Sequence, residues 1–580
     1  MIKKIANFFF LFLKLIFKYN LDILTLYILI TFIYFYPVFG QYLKNFFSST
    51  SYVIGSADTY NQFLPLRVFL SDNLKEGTIL LWFDYQALGL PFLGIIQSGA
   101  FYPFNLIIFK FFDPYVGYNL SIFLHFVMAE FFAFLYSFYL ISKIENNKII
   151  VKILAFMSGI LFGLSGFIVS HVDFIPLQNS IPYLALSILS IHLIIDNYDF
   201  TKSLLKNIFI NGFYIVLLGI SLLYQFLAGY PQAFLYTFIA VIIYIIISKN
   251  IRIFFMFFIS FILFLIGSYV VLSEGIKLAS VSVRDILSSS IYNQGSYPPY
   301  ALIMQVIPYI FGGSVYRGYY GPETGTISFE FLNFISVISL PLTIFALFYI
   351  YKEKLYNYKF IAVLGIIGFL LALGKYNILH YLLYDIPFYS KVRVVARHLM
   401  EFNLFQAIII PLSIYLLFIK FQFEKFIDFI KISFYTYLIV IIFFVISLVN
   451  QKISQNLSNL TIHSVELFFP MLFLFVYIAI FTIFLIIYKF FKNREFFIDF
   501  KIFILILFNF MFLFESLYLF YNLSPNYRSI WWAKPENIKA YNYSTDFVES
   551  EYRMCYLSGF PLLVSAINNK KMLNYYEPVI

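Results

Sequence analysis

The chain has 580 residues, of which 62% are hydrophobic and only 12% charged, and its mean hydropathy is +0.86. Soluble domains carry about 25% charged residues, so there is too little charge here to cover a soluble enzyme, a disordered chain or a nucleic-acid-binding domain, and no nucleic-acid partner is expected. The net charge of +10 is what a membrane protein collects in its cytoplasmic loops, and a single cysteine, Cys555, excludes an intramolecular disulfide framework and a cysteine-based zinc site.

A helix needs roughly 20 apolar residues to cross the hydrocarbon core. Such runs fall near 20–40, 117–141, 153–170, 180–196, 208–227, 231–248, 253–273, 331–351, 360–374, 400–419, 432–449, 464–488 and 502–522. The expected fold class is an all-α polytopic membrane protein of about thirteen transmembrane helices. The runs at 153–170, 180–196 and 360–374 are the shortest. No cleavage pattern follows the first run, which reads as an uncleaved anchor. The domain organisation is a transmembrane region, 1–522, followed by a tail, 523–580, expected to be a small mixed α/β unit or irregular.

If every run crosses once and the N-terminus is cytoplasmic, more than half of the 39 Lys and Arg residues fall in short cytoplasmic segments, from Lys3 and Lys4 through Lys143, Lys202, Lys352 and Lys420 to Lys489. Their density there is about four times that on the other side, as the positive-inside rule requires. The C-terminus is then outside. The cytoplasmic loops are too short for a nucleotide-binding fold, and neither a P-loop nor a dinucleotide fingerprint occurs. The outer segments are long, about 41–116, 274–330, 375–399 and the tail. Chemistry is therefore expected at the outer face, where an activated substrate arrives through the lipid.

The first outer loop holds Asp58, Asp72 and Asp84 with Gln62, Arg67 and Lys75 between them. Phe63, Leu64, Leu66, Phe69, Leu70 and Leu74 have mostly helical apolar spacing, which predicts an amphipathic helix in the interface. Gly89 to Pro103 is rich in Gly and Pro and reads as a loop packed back against the membrane boundary.

The ordered set SADTYNQFLP, Trp82 followed by LGLPF, SGAFYPFN, LSGFIVSHVDFIPLQNSIPYLAL, FLAGYPQAFLYT and VRVVARHLMEF resembles the bacterial YfhO-type membrane proteins, within the GT-C class of glycosyltransferases. The likeness covers most of 20–410 in collinear order. It implies an enzyme of the cytoplasmic membrane that transfers a sugar at the outer face from a polyprenyl-phosphate carrier to an envelope polymer or glycolipid. It also implies a catalytic aspartate just after the first transmembrane helix, the place Asp58 occupies. Relatives continue further beyond the tail, which bears on acceptor recognition.

The residues admit that chemistry. Inverting transfer needs a base for the acceptor hydroxyl, and a carboxylate serves best when partial burial raises its pKa. Cationic donors stabilise the departing lipid phosphate, and Lys391, Arg393, Arg397 and His398 stand just before a span, with Arg393 and Arg397 on one helical face. Other readings stand beside these. Asp58 also suits a helix N-cap, and the arginines suit anchoring to anionic headgroups. His171 and Asp173, in SHVDF, suit substrate or metal binding or a solvated turn. Gln178 and Gln232 suit sugar hydrogen bonds or turns. Glu323 and Glu330 suit a second carboxylate. Glu130 and Glu515 lie within apolar runs, where carboxylates are costly and often functional. They support an alternative function, a transporter or flippase for lipid-linked envelope precursors. No cofactor is required by the sequence, and a divalent metal is compatible with it.

Overall fold

A bilayer offers no partner for backbone N–H and C=O groups, so an apolar chain must satisfy them within helices. The computed structural model of the protein describes residues 20–36, 58–78, 80–83, 89–281, 292–313, 328–386, 389, 393–421, 425–449, 464–491, 496–522, 553–554 and 571–572. Among them the architecture is all-α, with nine helices long and apolar enough to cross a membrane, or ten if the bent pair Leu204–Ile210 and Gly212–Leu227 is one span. The chain is a multi-pass membrane protein. Three shorter apolar helices, Asn20–Tyr34, Ser339–Lys352 and Tyr356–Ala372, fall on the expected runs at 20–40, 331–351 and 360–374.

Local chemistry sets the helix ends. Proline, already preorganised for the first turn, opens Pro103–Phe111, Pro182–Asp196 and Pro231–Ser248. Asn147 Oδ1 accepts from the N–H groups of Ile149 and Ile150, so the run expected at 153–170 begins at Lys148. Its start carries Lys148 and Lys152, which the expected run leaves out. The run expected at 180–196 likewise starts at Ile175, because Pro176 and Pro182 each sit in a first turn and two helical pieces join end to end.

The chain forms two compact units. The first comprises Met1–Phe131, Val172–Ile286 and Arg528–Ile580. Its long-range packing is led by Gly212–Leu227 against Ile251–Ser280 and Pro182–Asp196. Here the expected amphipathic helix forms as Leu64–Glu76, ending on Gly77 at φ 74°. It differs from an interfacial helix in one respect: Leu64 through Val68 are all buried, Arg67 included. The Gly89–Pro103 stretch folds back as expected. Leu90–Pro91 pairs antiparallel with Trp82–Phe83, and Phe92, Ile95 and Ala100 join Leu66, Leu70, Ile108 and Phe109 in one apolar cluster.

The second unit comprises Phe132–His171 and Leu287–Tyr527. Its centre is the helical stretch Val395–Lys420, buried almost throughout, whereas Phe426–Ile446 exposes most of its large apolar side chains and Glu466–Phe490 many of them. Water would not tolerate those surfaces, and lipid does. Gly166, at the start of a short helix, lets that helix touch the segment after Glu330: its N–H donates to Phe334 O at 2.6 Å. A Cβ there would lie 2.7 Å from Phe334 N and 2.9 Å from Leu332 O, both rigid backbone. Gly166→Ala is therefore expected to lower stability by about 1–3 kcal/mol, seen as a reduced melting temperature in detergent. Of the tail, the described residues are Arg553–Met554 and Lys571–Met572, paired parallel.

Candidate functional site

In the first unit, three segments far apart in sequence meet around the start of the Leu64–Glu76 helix. Asp58 is exposed and begins the turn Thr59–Phe63, and its side chain makes no capping bond to that turn. The neighbouring Thr59 Oγ1 donates to the backbone oxygen of Asp173 at 3.2 Å, and Tyr118 Oη reaches both at 3.4 Å. Asp173 itself is half-buried. Phe63 packs on Phe174 with ring centroids 5.0 Å apart, and Phe174 packs on Tyr230 at 5.1 Å. Tyr230 Oη donates to Gln232 Oε1 at 2.7 Å, and Gln232 Nε2 donates to Tyr236 Oη at 2.8 Å. Asp58, Gln62, Asp173 and Gln232 thus belong to one neighbourhood, with the Phe63, Phe174 and Tyr230 rings packed between them.

One turn further in, Gln62 is buried and its Nε2 donates to Gln97 Oε1 at 2.6 Å. Arg67 is fully buried; Nη1 makes a long 3.5 Å contact to Gln97 O and the guanidinium stands 5.8 Å from the Phe109 ring centre. Burial lowers its pKa to about 10, against a small opposing influence from Tyr118, so the group remains charged at neutral pH. Sequence reasoning missed Gln97 and Asn105. The usable signal was an isolated amide in an otherwise apolar Gly- and Pro-rich stretch.

The second unit gathers a different set. Glu330, fully buried, takes the guanidinium of Arg397: Nε donates to both carboxylate oxygens at 2.9 and 3.1 Å, and Nη2 donates to Oε1. His171 Nε2 meets the other side of the same carboxylate at 2.8 Å, and its Nδ1 meets Phe167 O at 2.7 Å. Nδ1 also lies 3.2 Å from Ser170 Oγ. Burial raises the pKa of Glu330, but Arg397 and His171 together outweigh it and hold the carboxyl down at about 2. Beside it, His398 lies between Tyr389 Oη and Glu401 Oε1, each at 3.0 Å. Arg393 is half-buried. Glu323, Lys391 and Asp84 lie outside the described residues.

The lowered pKa has a direct consequence. Glu330 contributes stability that is present in full above its ordinary value of 4.5 and is lost as pH falls toward about 2. The gap in melting temperature between wild type and Glu330→Gln is expected to stay constant above about pH 5 and to close between 4.5 and 2. Melting curves in detergent across that range check it.

The intramembrane carboxylates have separate partners. Glu130 accepts from Thr31 Oγ1 at 2.8 Å, and its Oε1 meets no protein donor. Glu515 accepts from Val337 N at 2.9 Å and Ser336 Oγ at 3.2 Å, pinning the chain before Ser339–Lys352. Neither contacts His125, which lies between Tyr102 Oη and Ser121 O, both at 2.6 Å. Among the described residues no group of three or more His, Cys, Asp or Glu is arranged to hold a metal. Comparison with known proteins returned no matching family model and no matching curated protein.

Proposed function

We propose that the protein is a membrane glycosyltransferase of the GT-C type, of YfhO-like kind, taking a sugar from a polyprenyl-phosphate donor. It transfers that sugar to a cell-envelope acceptor at the outer face of the bacterial cytoplasmic membrane. The observation that carries this reading is the position of Asp58: an exposed carboxylate in the long segment between the first two apolar helices, beside Asp173 and the Phe63–Phe174–Tyr230 ring wall. In this reading Asp58 removes the acceptor proton as the anomeric carbon is attacked, and Asp173 and Gln232 hold sugar hydroxyls. Thirteen crossings, counting the bent pair and the three shorter apolar helices, keep the N-terminus cytoplasmic and Asp58 outside. In this reading the half-buried Arg393 is the cation offered to the donor phosphate in the second unit, while Arg397 is engaged by Glu330 and the buried His398 by Tyr389 and Glu401. The test is sugar analysis of envelope polymers from wild-type and deletion strains. Loss of one sugar supports transfer, and an unchanged glycan profile contradicts it.

A transporter or flippase of lipid-linked precursors is the second reading, favoured by the unpartnered Oε1 of the buried Glu130. It requires Glu130→Gln to abolish precursor movement across the membrane in vesicles, whereas the first reading expects movement to be unchanged.

A further inference from the structure

We propose that Arg67 and the polar groups around it form a buried oxyanion site that takes a phosphoryl group. Nε and Nη2 of this guanidinium meet no protein acceptor, although the residue is fully buried. These two nitrogens form the side edge of the fork, the edge that binds two oxygens of one oxyanion at once. Arg397 shows the same edge filled, by the carboxylate of Glu330. At Arg67 no carboxylate takes that place among the described residues, and the guanidinium stands 5.8 Å from the centre of the Phe109 ring. A buried cation without a counter-charge is strongly disfavoured, and deprotonation does not relieve it at neutral pH. A bound anion does.

The surroundings favour a tetrahedral anion over a planar one. Gln62 Oε1 and Asn105 Oδ1 are also buried without a protein donor. Each belongs to a side-chain amide whose NH2 carries a second N–H besides the one given to Gln97 Oε1 or Gly99 O. Asn105 Nδ2 donates to Gly99 O at 3.1 Å, which brings this amide to the Arg67 side of the loop. A carboxylate uses both oxygens on the guanidinium edge, while a phosphoryl group keeps a further oxygen for these amides. Gly99 keeps the cradle open: at φ +54°, a Cβ there would lie 3.2 Å from Arg67 Nη2 and 2.6 Å from Asn105 Nδ2. Identifying the ligand as the phosphate of a lipid-linked sugar rests on the glycosyltransferase reading. The oxyanion site itself does not.

The test uses the full-length chain in nanodiscs and measures binding without transfer. One arm adds inorganic phosphate to phosphatidylcholine discs; a second incorporates a polyprenyl monophosphate; a third incorporates a lipid carboxylate of the same chain length. We expect the polyprenyl monophosphate to bind wild type and raise its melting temperature, and Arg67→Lys and Gly99→Ala each to weaken binding at least about tenfold. Saturable binding of inorganic phosphate alone would support the site and make a soluble phosphate its ligand. Should either variant fail to fold, the three wild-type titrations decide. No phosphate-dependent shift in either phosphate arm, equal binding by the lipid carboxylate, or undiminished binding in folded variants would overturn the proposal. Phosphate binding by a protein whose deletion leaves the envelope glycan profile unchanged would leave the site standing and remove the enzymatic reading.

Discussion

Asp58→Asn is expected to cut sugar transfer by about 10²–10⁴-fold, the range associated with a general base, while donor binding stays within a factor of about two. The amide is nearly isosteric and cannot take a proton. The substitution also discriminates the two roles open to Asp58. A capping aspartate holds the N–H groups of the first turn, and asparagine caps equally well. Asp58 makes no such bond to the Thr59–Phe63 turn, so a stability change beyond about 0.5 kcal/mol is not expected. The measurement is initial rate and donor saturation with purified protein at equal abundance. A loss of rate with an unchanged melting temperature assigns the carboxylate to chemistry.

Glu330→Ala carries the largest expected effect on stability, a loss of about 3–5 kcal/mol. The substitution removes the carboxylate shared by Arg397 and His171 and leaves the partly buried guanidinium without its counter-charge and the buried His171 Nε2 without its partner. Removing one partner of a buried pair costs far more than the intact pair contributes. Glu330→Gln keeps the shape and one acceptor and is expected to fall between alanine and wild type. Thermal melting and resistance to proteolysis in detergent report both. A melting temperature for Glu330→Ala equal to that of wild type would show that the cluster is relaxed by solvent.

Much of this fold is legible in the amino-acid order because the bilayer simplifies the problem. Apolar length alone marks a crossing, and the helices at 117–141, 231–248 and 502–522 fall where the runs place them. The starts are less legible where a polar first turn precedes the apolar run, as at Asn147 and Lys148, or where prolines divide it, as at Pro176 and Pro182. The site follows the same division. Asp58, Gln62 and Arg67 are singled out by their place in one loop. The clasp of Glu330 on His171 and Arg397 joins residues 159 and 67 positions apart, and no local pattern encodes such a pairing. The expected amphipathic helix shows the remaining gap. Its apolar spacing predicts the helix, but nothing in that spacing shows that the fold encloses Arg67.

The account depends most directly on the side of the membrane that residue 58 faces. Cys555 is the chain's single cysteine, so Cys555→Ser combined with Asp58→Cys gives one reporter thiol. Intact cells treated with a membrane-impermeant maleimide should label that thiol fully, with no further gain after permeabilisation. Labelling that occurs only once the membrane is opened would place the residue on the cytoplasmic side and contradict an outer-face glycosyltransferase.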